Sequence, residues 1–550
     1  MHRLHFVLLF VSAINMSVAQ TAAKKQPQLI ASFDSILSKE FKATEPGTAA
    51  IVVHKGKVIY KKAIGMADME LNVPLQPDMI FRIGSITKQF TAVAILQLAE
   101  QGKLSLQDDI KKYMPELPFK ETITIEHLLN HTSGIKSYTN KPDFVSKMRT
   151  DMKPMEIIQL TTGDSLEFKP GTKWNYNNTG YIMLGYIIEK ITGKTYEEYV
   201  QQHLFAPAGM SNSYYGSETK IIKNRAKGYE KEGTQIKNSD YISMTLPYAG
   251  GSLLSTVEDL WKWNKALYSY KLIKKESVDK AITPYTLPDG TSTNYGYGLS
   301  LSKVQSSNAI EHGGGIPGFL TDAMYLPTED VFVAVFGNCG CKGMEDITAK
   351  LAAVAIGKPY KFTPIAVAEA TAKQYEGVYT NAAGEERIIR LVNGKLTSQR
   401  GSGTQLALLP VEKDLFMFEN SLSSLLFQRT ASGAISGILY KSRQEEMNWT
   451  KTSKPLPAAT TFVKVDGAIL DGYVGNYELA PGFILTITHE GDQLFAQATG
   501  QQKLELQAIS NTRFRTKGVA ADIEFKQNAA GKTESLILYQ GGREMPAKKQ

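Results

Sequence analysis

An internal repeat limits this chain more than any other feature. Tyr375, Gly377 and Tyr379 return as Tyr473, Gly475 and Tyr477, and the same offset of 98 residues pairs Leu396 with Leu494, Phe416 with Phe514, Phe427 with Phe525, Gly433 with Gly531 and Met447 with Met545. Aromatic and glycine positions repeated at one fixed spacing mean that one structural unit is present twice. Within each copy, short alternating runs are separated by glycine turns, which is the pattern of half-buried strands. Evenly spaced short strands favour a small closed barrel. Two all-β barrel-like modules are therefore expected, at residues 370–452 and 467–550, with Thr452-Ser453-Lys454-Pro455-Leu456-Pro457-Ala458-Ala459 as linker and no helical pattern beyond about residue 365.

The residues before the repeat have a different character. Leu29, Phe33, Ile36, Leu37 and Phe41 fall at helical spacing, and Thr48 to Ala63 reads as a hairpin around Lys55-Gly56-Lys57. Helices are expected from Ser85 to a stop at Gln101-Gly102, from Ile123 to Gly134, and from Ile182 to Ile191. Strand-like runs return at Tyr295–Leu301, Ala323–Leu326 and Val331–Phe336. Strands first, helices in the middle and strands last predict one α+β domain over residues 20–362, its sheet closed by both ends.

At 550 residues, with 42% apolar and 21% charged residues, the composition is that of a soluble multidomain protein. The net charge of +8 is spread along the chain, and no basic run or motif supports a nucleic-acid role. Met1-His2-Arg3, the apolar run Leu4 to Met16 and the small residues Ser17-Val18-Ala19 form the pattern of a signal peptide, residues 1–19, cut after Ala19. A periplasmic or secreted protein is expected. The apolar run falls short of the roughly 20 residues of a membrane span. The two cysteines, Cys339 and Cys341, are too close for an unstrained bridge, so no framework disulfide is expected. They also lack the clustered histidines of a metal site. No metal and no cofactor are implied.

Three short stretches carry chemistry. Ser85 and Lys88 stand at i, i+3 where an apolar helix begins, so the amine can reach the hydroxyl. Serine needs a base to become a nucleophile, and lysine serves as one when desolvation lowers its pKa. Tyr176 and Asn178 lie at a loop–helix junction after Phe168-Lys169-Pro170-Gly171, where a phenol flanked by ammonium groups can exchange its proton with serine. His312 opens Gly313-Gly314-Gly315, and these glycines let a substrate backbone approach a strand.

Ser85-Ile86-Thr87-Lys88, Tyr176-Asn177-Asn178 and His312-Gly313-Gly314 come in the order of the serine β-lactamase and penicillin-binding-protein superfamily. Together with Leu128-Leu129-Asn130-His131-Thr132-Ser133-Gly134, the chain resembles its class C-related branch over roughly residues 28–358. That branch holds D-alanyl-D-alanine carboxypeptidases, D-aminopeptidases and β-lactamase-like esterases. The C-terminal modules resemble the lipocalin-like barrels of some D-aminopeptidases.

The resemblance implies a β-lactamase-like transpeptidase domain and an acyl-enzyme on Ser85. Lys88 would be the activating amine, Tyr176 the general base and acid, and Asn178, His312 and Gly314 would bind substrate. The backbone N–H groups of Ser85 and Gly315 would form the oxyanion hole. His312 stands where lysine is usual, and imidazole is only partly charged near neutrality. This favours D-amino-acid peptides or small esters and amides over β-lactams, with a peptidoglycan-derived peptide among the implied partners. A β-lactamase and a non-enzymatic penicillin sensor or wall-binding scaffold are the alternatives.

Overall fold

The computed structural model describes residues 27–550 apart from positions 142, 234, 402, 459–461, 481, 500, 502, 518, 520, 541 and 542. The expected signal peptide lies outside the described residues. Contacts divide the chain into one unit ending at Tyr360 and another starting at Lys361. Among the described residues no helix is long and apolar enough to cross a membrane.

The first unit is built on six strands: β1 (Thr48–His54), β2 (Lys57–Ile64), β3 (Ser300–Val304), β4 (Ser307–Ile316), β5 (Phe319–Leu326) and β6 (Val331–Gly337). Their order is β3-β4-β5-β6-β1-β2, and every neighbouring pair is antiparallel. β1 pairs with β6 from Thr48 opposite Gly337 to His54 opposite Val331, so both ends of the unit close one sheet. Ala49–Val53 and Val331–Phe336 are unbroken apolar runs, and such runs form strands covered on both faces. All of β6 is buried accordingly.

The helix Thr87–Glu100 lies within the main core. Only Gln97, Ala99 and Glu100 are not buried, and the run from Ala92 to Leu96 is apolar on every side, as a helix inside a core requires. Phe90 stacks on Trp263 at 4.0 Å between ring centroids, and Trp263 Nε1 donates to Gln89 Oε1 at 2.7 Å. Burying side chains of this size contributes about 1.5–3 kcal/mol each. One 3₁₀ turn, Gly84–Ile86, leads into this helix and carries Ser85.

Four expectations need correction. Tyr295–Leu299 is not strand. Gly298 has φ +68°, and a Cβ there would lie 2.7 Å from the Lys88 carbonyl oxygen, so the segment turns against the Thr87–Glu100 helix. The helix expected to Gly134 covers only Ile125–Leu129, since the chain leaves through positive φ at His131 and Gly134. Helix does occur beyond residue 365: Glu369–Tyr375 and Gly467–Tyr473 precede the two barrels, each under two full turns and too short to show a period. Cys339 and Cys341 form a disulfide, with Cα atoms 5.2 Å apart. The bend after β6 is pinned by Tyr229 N–H donating to Asn338 O at 3.0 Å and Gly340 N–H donating to Tyr229 O at 2.9 Å, which brings the two residues within bridging distance.

The second unit holds two closed eight-stranded barrels: barrel 1 from the strand Gly377–Thr380 to Glu446–Lys451, barrel 2 from Gly475–Ala480 to Arg543–Lys549. In each, the first strand meets the last, Tyr379 opposite Lys451 and Tyr477 opposite Lys549. The repeated aromatics are the two cores. Tyr375, Tyr379, Phe416 and Phe427 fill barrel 1, and Tyr473, Tyr477, Phe514 and Phe525 fill barrel 2. Even a buried hydroxyl bond repeats, from Tyr379 to the Tyr375 carbonyl at 2.6 Å and from Tyr477 to the Tyr473 carbonyl at 2.8 Å. Separate cores predict separate failure. Phe525→Ala should cost about 3–5 kcal/mol, seen as faster hydrogen exchange across Gly475–Lys549 with β1 protection unchanged; loss of protection in both places would show one shared cooperative core.

Candidate active site

Lys88 is fully buried on the first turn of its helix, and three oxygens surround its amine. Nζ lies 3.1 Å from Ser85 Oγ, 2.8 Å from Asn178 Oδ1 and 2.9 Å from the Gly250 carbonyl oxygen. Burial pushes its pKa down to about 7. A neutral amine has two N–H bonds and one lone pair. Asn178 Oδ1 and Gly250 O can only accept, so they take both N–H bonds and leave the lone pair for the Ser85 hydroxyl. The surroundings therefore fit the base form, aimed at Ser85.

Asn177 caps the helix Asn178–Thr192 by accepting from Gly180 N–H at 2.8 Å, and this fixes Asn178 at the helix start. Asn178 Nδ2 donates to Thr139 Oγ1 at 3.1 Å. With Oδ1 on Lys88, the amide is engaged at both ends and orients the lysine. Tyr176 stands beside Ser85, and Lys88 Nζ lies 4.8 Å from its ring centroid. Burial raises the phenol pKa well above its ordinary value. The loosened phenol proton expected from flanking ammonium groups is thus overturned: the nearest amine is itself desolvated, and burial outweighs it.

His312 is buried on β4. Its Nδ1 donates to the Gly313 carbonyl at 2.6 Å, so Nε2, 2.9 Å from the Tyr295 hydroxyl, accepts from it. Burial first, then the charge of Lys88, pushes the ring pKa down to about 3. A charged imidazole that grips a substrate carboxylate is not what the fold builds here. The glycines that follow have a steric function. A Cβ on Gly314 would fall 2.0 Å from Ile83 O, and one on Gly84, whose φ is +51°, would fall 2.9 Å from Gly315 N. Bare glycine at both positions lets β4 lie against the turn that carries Ser85. β3 pairs with β4 only as far as Glu311, so residues 312–316 leave one edge outside the sheet.

Ser85, Lys88, Tyr176, Asn178 and His312 thus come together, with Gly314 and Gly315 against the Ser85 turn. Sequence reasoning missed three contributors. The Gly250 carbonyl is backbone and has no side-chain signature. Tyr295 was read only as part of a strand. His131, quoted only for its likeness, lies 4.4 Å from the Tyr176 ring and 4.7 Å from that of Tyr295, and burial keeps its pKa well below the usual range.

An antiparallel sheet, a buried helix and a serine–lysine pair at their junction define the class of serine β-lactamases and penicillin-binding proteins. The chain belongs to the Beta-lactamase family, which matches residues 33–356. A domain of unknown function, DUF3471, matches residues 461–549. The chain is 25% identical to penicillin-binding protein 4* of Bacillus subtilis (strain 168) over 515 residues, 90% of this chain and 92% of that one. Among solved structures, the octameric penicillin-binding protein homologue from Pyrococcus abyssi is 28% identical, with a TM-score of 0.56 over 77% of this chain and 99% of that one. The D-stereospecific amidohydrolase from Streptomyces sp. is 25% identical, with a TM-score of 0.51 over 60% and 98%. Family and neighbours make this chain a serine hydrolase.

Two outcomes follow from the lysine. The base form accumulates as pH rises through about 7, so kcat/KM for an uncharged ester should climb to a plateau above that value; a flat profile from pH 5 to 9 would exclude a titrating base there. Asn178→Asp puts a carboxylate beside Nζ and favours the ammonium. The rise should then move to higher pH by about 1–3 units, and an unmoved rise would mean that position 178 does not face the amine.

Proposed function

We propose that this protein is an exported serine hydrolase that forms an acyl-enzyme on Ser85 and acts on amides, short peptides or small esters of D-amino acids. The observation that carries the reading is the neutral, oriented Lys88 amine 3.1 Å from Ser85 Oγ. Lys88 takes the hydroxyl proton as Oγ bonds to the substrate carbonyl carbon, and the oxyanion is received by the N–H groups of Ser85 and Gly315. Tyr176, still a phenol, passes its proton to the leaving amine or alcohol as the bond from the carbonyl carbon to that group breaks, and the Lys88 ammonium returns a proton to it. Water then attacks the ester carbonyl, Lys88 takes its proton, and that proton passes to Ser85 Oγ as the ester bond breaks. The charged start and apolar run of residues 1–16 support export.

His312 narrows the substrate class. Neutral and engaged at both nitrogens, it offers no fixed positive charge for a free carboxylate. Substrates whose reacting end lacks a carboxylate fit best, and the Streptomyces neighbour, a D-stereospecific amidohydrolase by its name, supports amides of D-amino acids. The β-lactamase reading is weaker on the same ground, because a β-lactam brings a carboxylate beside its reacting carbonyl.

Purified protein should hydrolyse D-alanine p-nitroanilide or D-phenylalanine amide with kcat/KM at least about tenfold above D-alanyl-D-alanine and nitrocefin, the scale of one unpaired charge at a site. Ser85→Ala should abolish turnover and fluorophosphonate labelling. Preference for nitrocefin or the free-carboxylate dipeptide would reject the substrate class, and stoichiometric labelling of Ser85→Ala would reject the nucleophile.

A further inference from the structure

Barrel 1 encloses a cation that the barrel fold does not require. Arg387, on the strand Glu386–Val392, is 5% exposed. Its guanidinium carbon lies 4.6 Å from the ring centroid of Trp449, 5.3 Å from that of Tyr440 and 5.8 Å from that of Phe418. Nη1 donates to Ser398 Oγ at 2.8 Å, the one hydrogen bond of this guanidinium to any described residue. Glu385, the nearest acidic neighbour in its electrostatics, is hydrogen-bonded by Arg400 and Asn381 instead. Arg387 Nε and the indole Nε1 of Trp449 are both buried donors without a partner among the described residues.

Barrel 2 shows what the same fold does without this cluster. At the offset of 98, Arg387, Ser398, Phe418, Tyr440 and Trp449 become Leu485, Ala496, Thr516, Leu538 and Ala547. All five replacements are buried. The aromatic core around Tyr375 and Tyr473 is retained in both copies, whereas this cluster is not. Barrel 2 closes on leucine, alanine and threonine at these positions. The arginine and its ring cage are therefore an addition, and one that leaves two donors unsatisfied where water has been stripped away.

The unsatisfied edge has a definite shape. With Nη1 held by Ser398, Nε and Nη2 remain as the side of the guanidinium whose parallel N–H bonds match the two oxygens of a carboxylate. The rings of Trp449, Tyr440 and Phe418 would flank a short apolar or aromatic stem. We propose that barrel 1 is a binding module for a small monocarboxylate, held two-pronged by Nε and Nη2 of Arg387 with the Trp449 indole N–H as a third donor.

The test uses the full chain with ¹⁵N-labelled tryptophan, whose four indole signals are few enough to follow singly. The Trp449 signal is identified by its loss in Trp449→Phe. Acetate and benzoate, titrated to about 100 mM to saturate even a millimolar site, should move that signal along a saturable curve. Arg387→Leu, the residue barrel 2 carries, should abolish the response while the other three indole signals stay in place. Arg387→Lys keeps the charge without the fork and should weaken binding at least tenfold; it also serves if the leucine variant does not fold. Inorganic phosphate should bind at least tenfold more weakly than acetate. No saturable shift in the wild type would overturn the proposal and leave the arginine as ring-packed filling. A shift that survives in Arg387→Leu, or whose affinity is unchanged in Arg387→Lys, would place the ligand elsewhere, and phosphate binding as tightly as acetate would reject the carboxylate assignment.

Discussion

The desolvation of one ammonium group organises the hydrolase unit. Lys88 is useful as a base only where water is absent, so the helix carrying it is buried on almost every side. Its amine still needs partners that favour the neutral form, and two acceptors from distant parts of the chain supply them: Asn178 at the start of one helix and the Gly250 carbonyl in another. The glycine contacts between β4 and the Gly84–Ile86 turn serve the same end, since they remove side chains that would hold the sheet away from Ser85. The sheet, the helical region and the tight turn can be read as the enclosure that makes a lysine unprotonated.

What could be read from sequence divides along physical lines. Ser85 and Lys88 were legible because their relation is local, three residues apart on one helical start. The barrels were legible because duplication repeats a core, and Tyr375 with Tyr473 or Phe427 with Phe525 needs no tertiary knowledge to be noticed. Charge states were not legible. His312 looks like a titrating group in sequence, yet burial and the Tyr295 hydroxyl, 17 positions earlier, settle it as a neutral ring. Tyr176 was given a loosened proton for want of the same information. The Cys339–Cys341 bridge was missed because its cause lies in hydrogen bonds from Tyr229, over a hundred residues away.

Duplicated modules give an internal control that single domains lack. Tyr379 and Tyr477 donate to equivalent carbonyls, and the first and last strands meet at equivalent residues. Such agreement identifies what closure of the barrel demands. Differences between the copies then stand out against a fixed background, and a ring-caged arginine in one copy opposite leucine in the other is a departure that packing alone does not call for.

The pairing of β1 with β6 also sets a timetable for the newborn chain. Thr48 finds its partner only at Gly337, so roughly 290 residues must follow before β1 is flanked on both sides. At a synthesis rate of about 5–20 residues per second, an apolar strand waits something like 15–60 s beside β2 alone. During that interval nothing can complete the sheet prematurely, and a chain kept open in this way remains threadable. The register that joins the two ends of the hydrolase unit therefore delays its own closure until nearly all of that unit has been made.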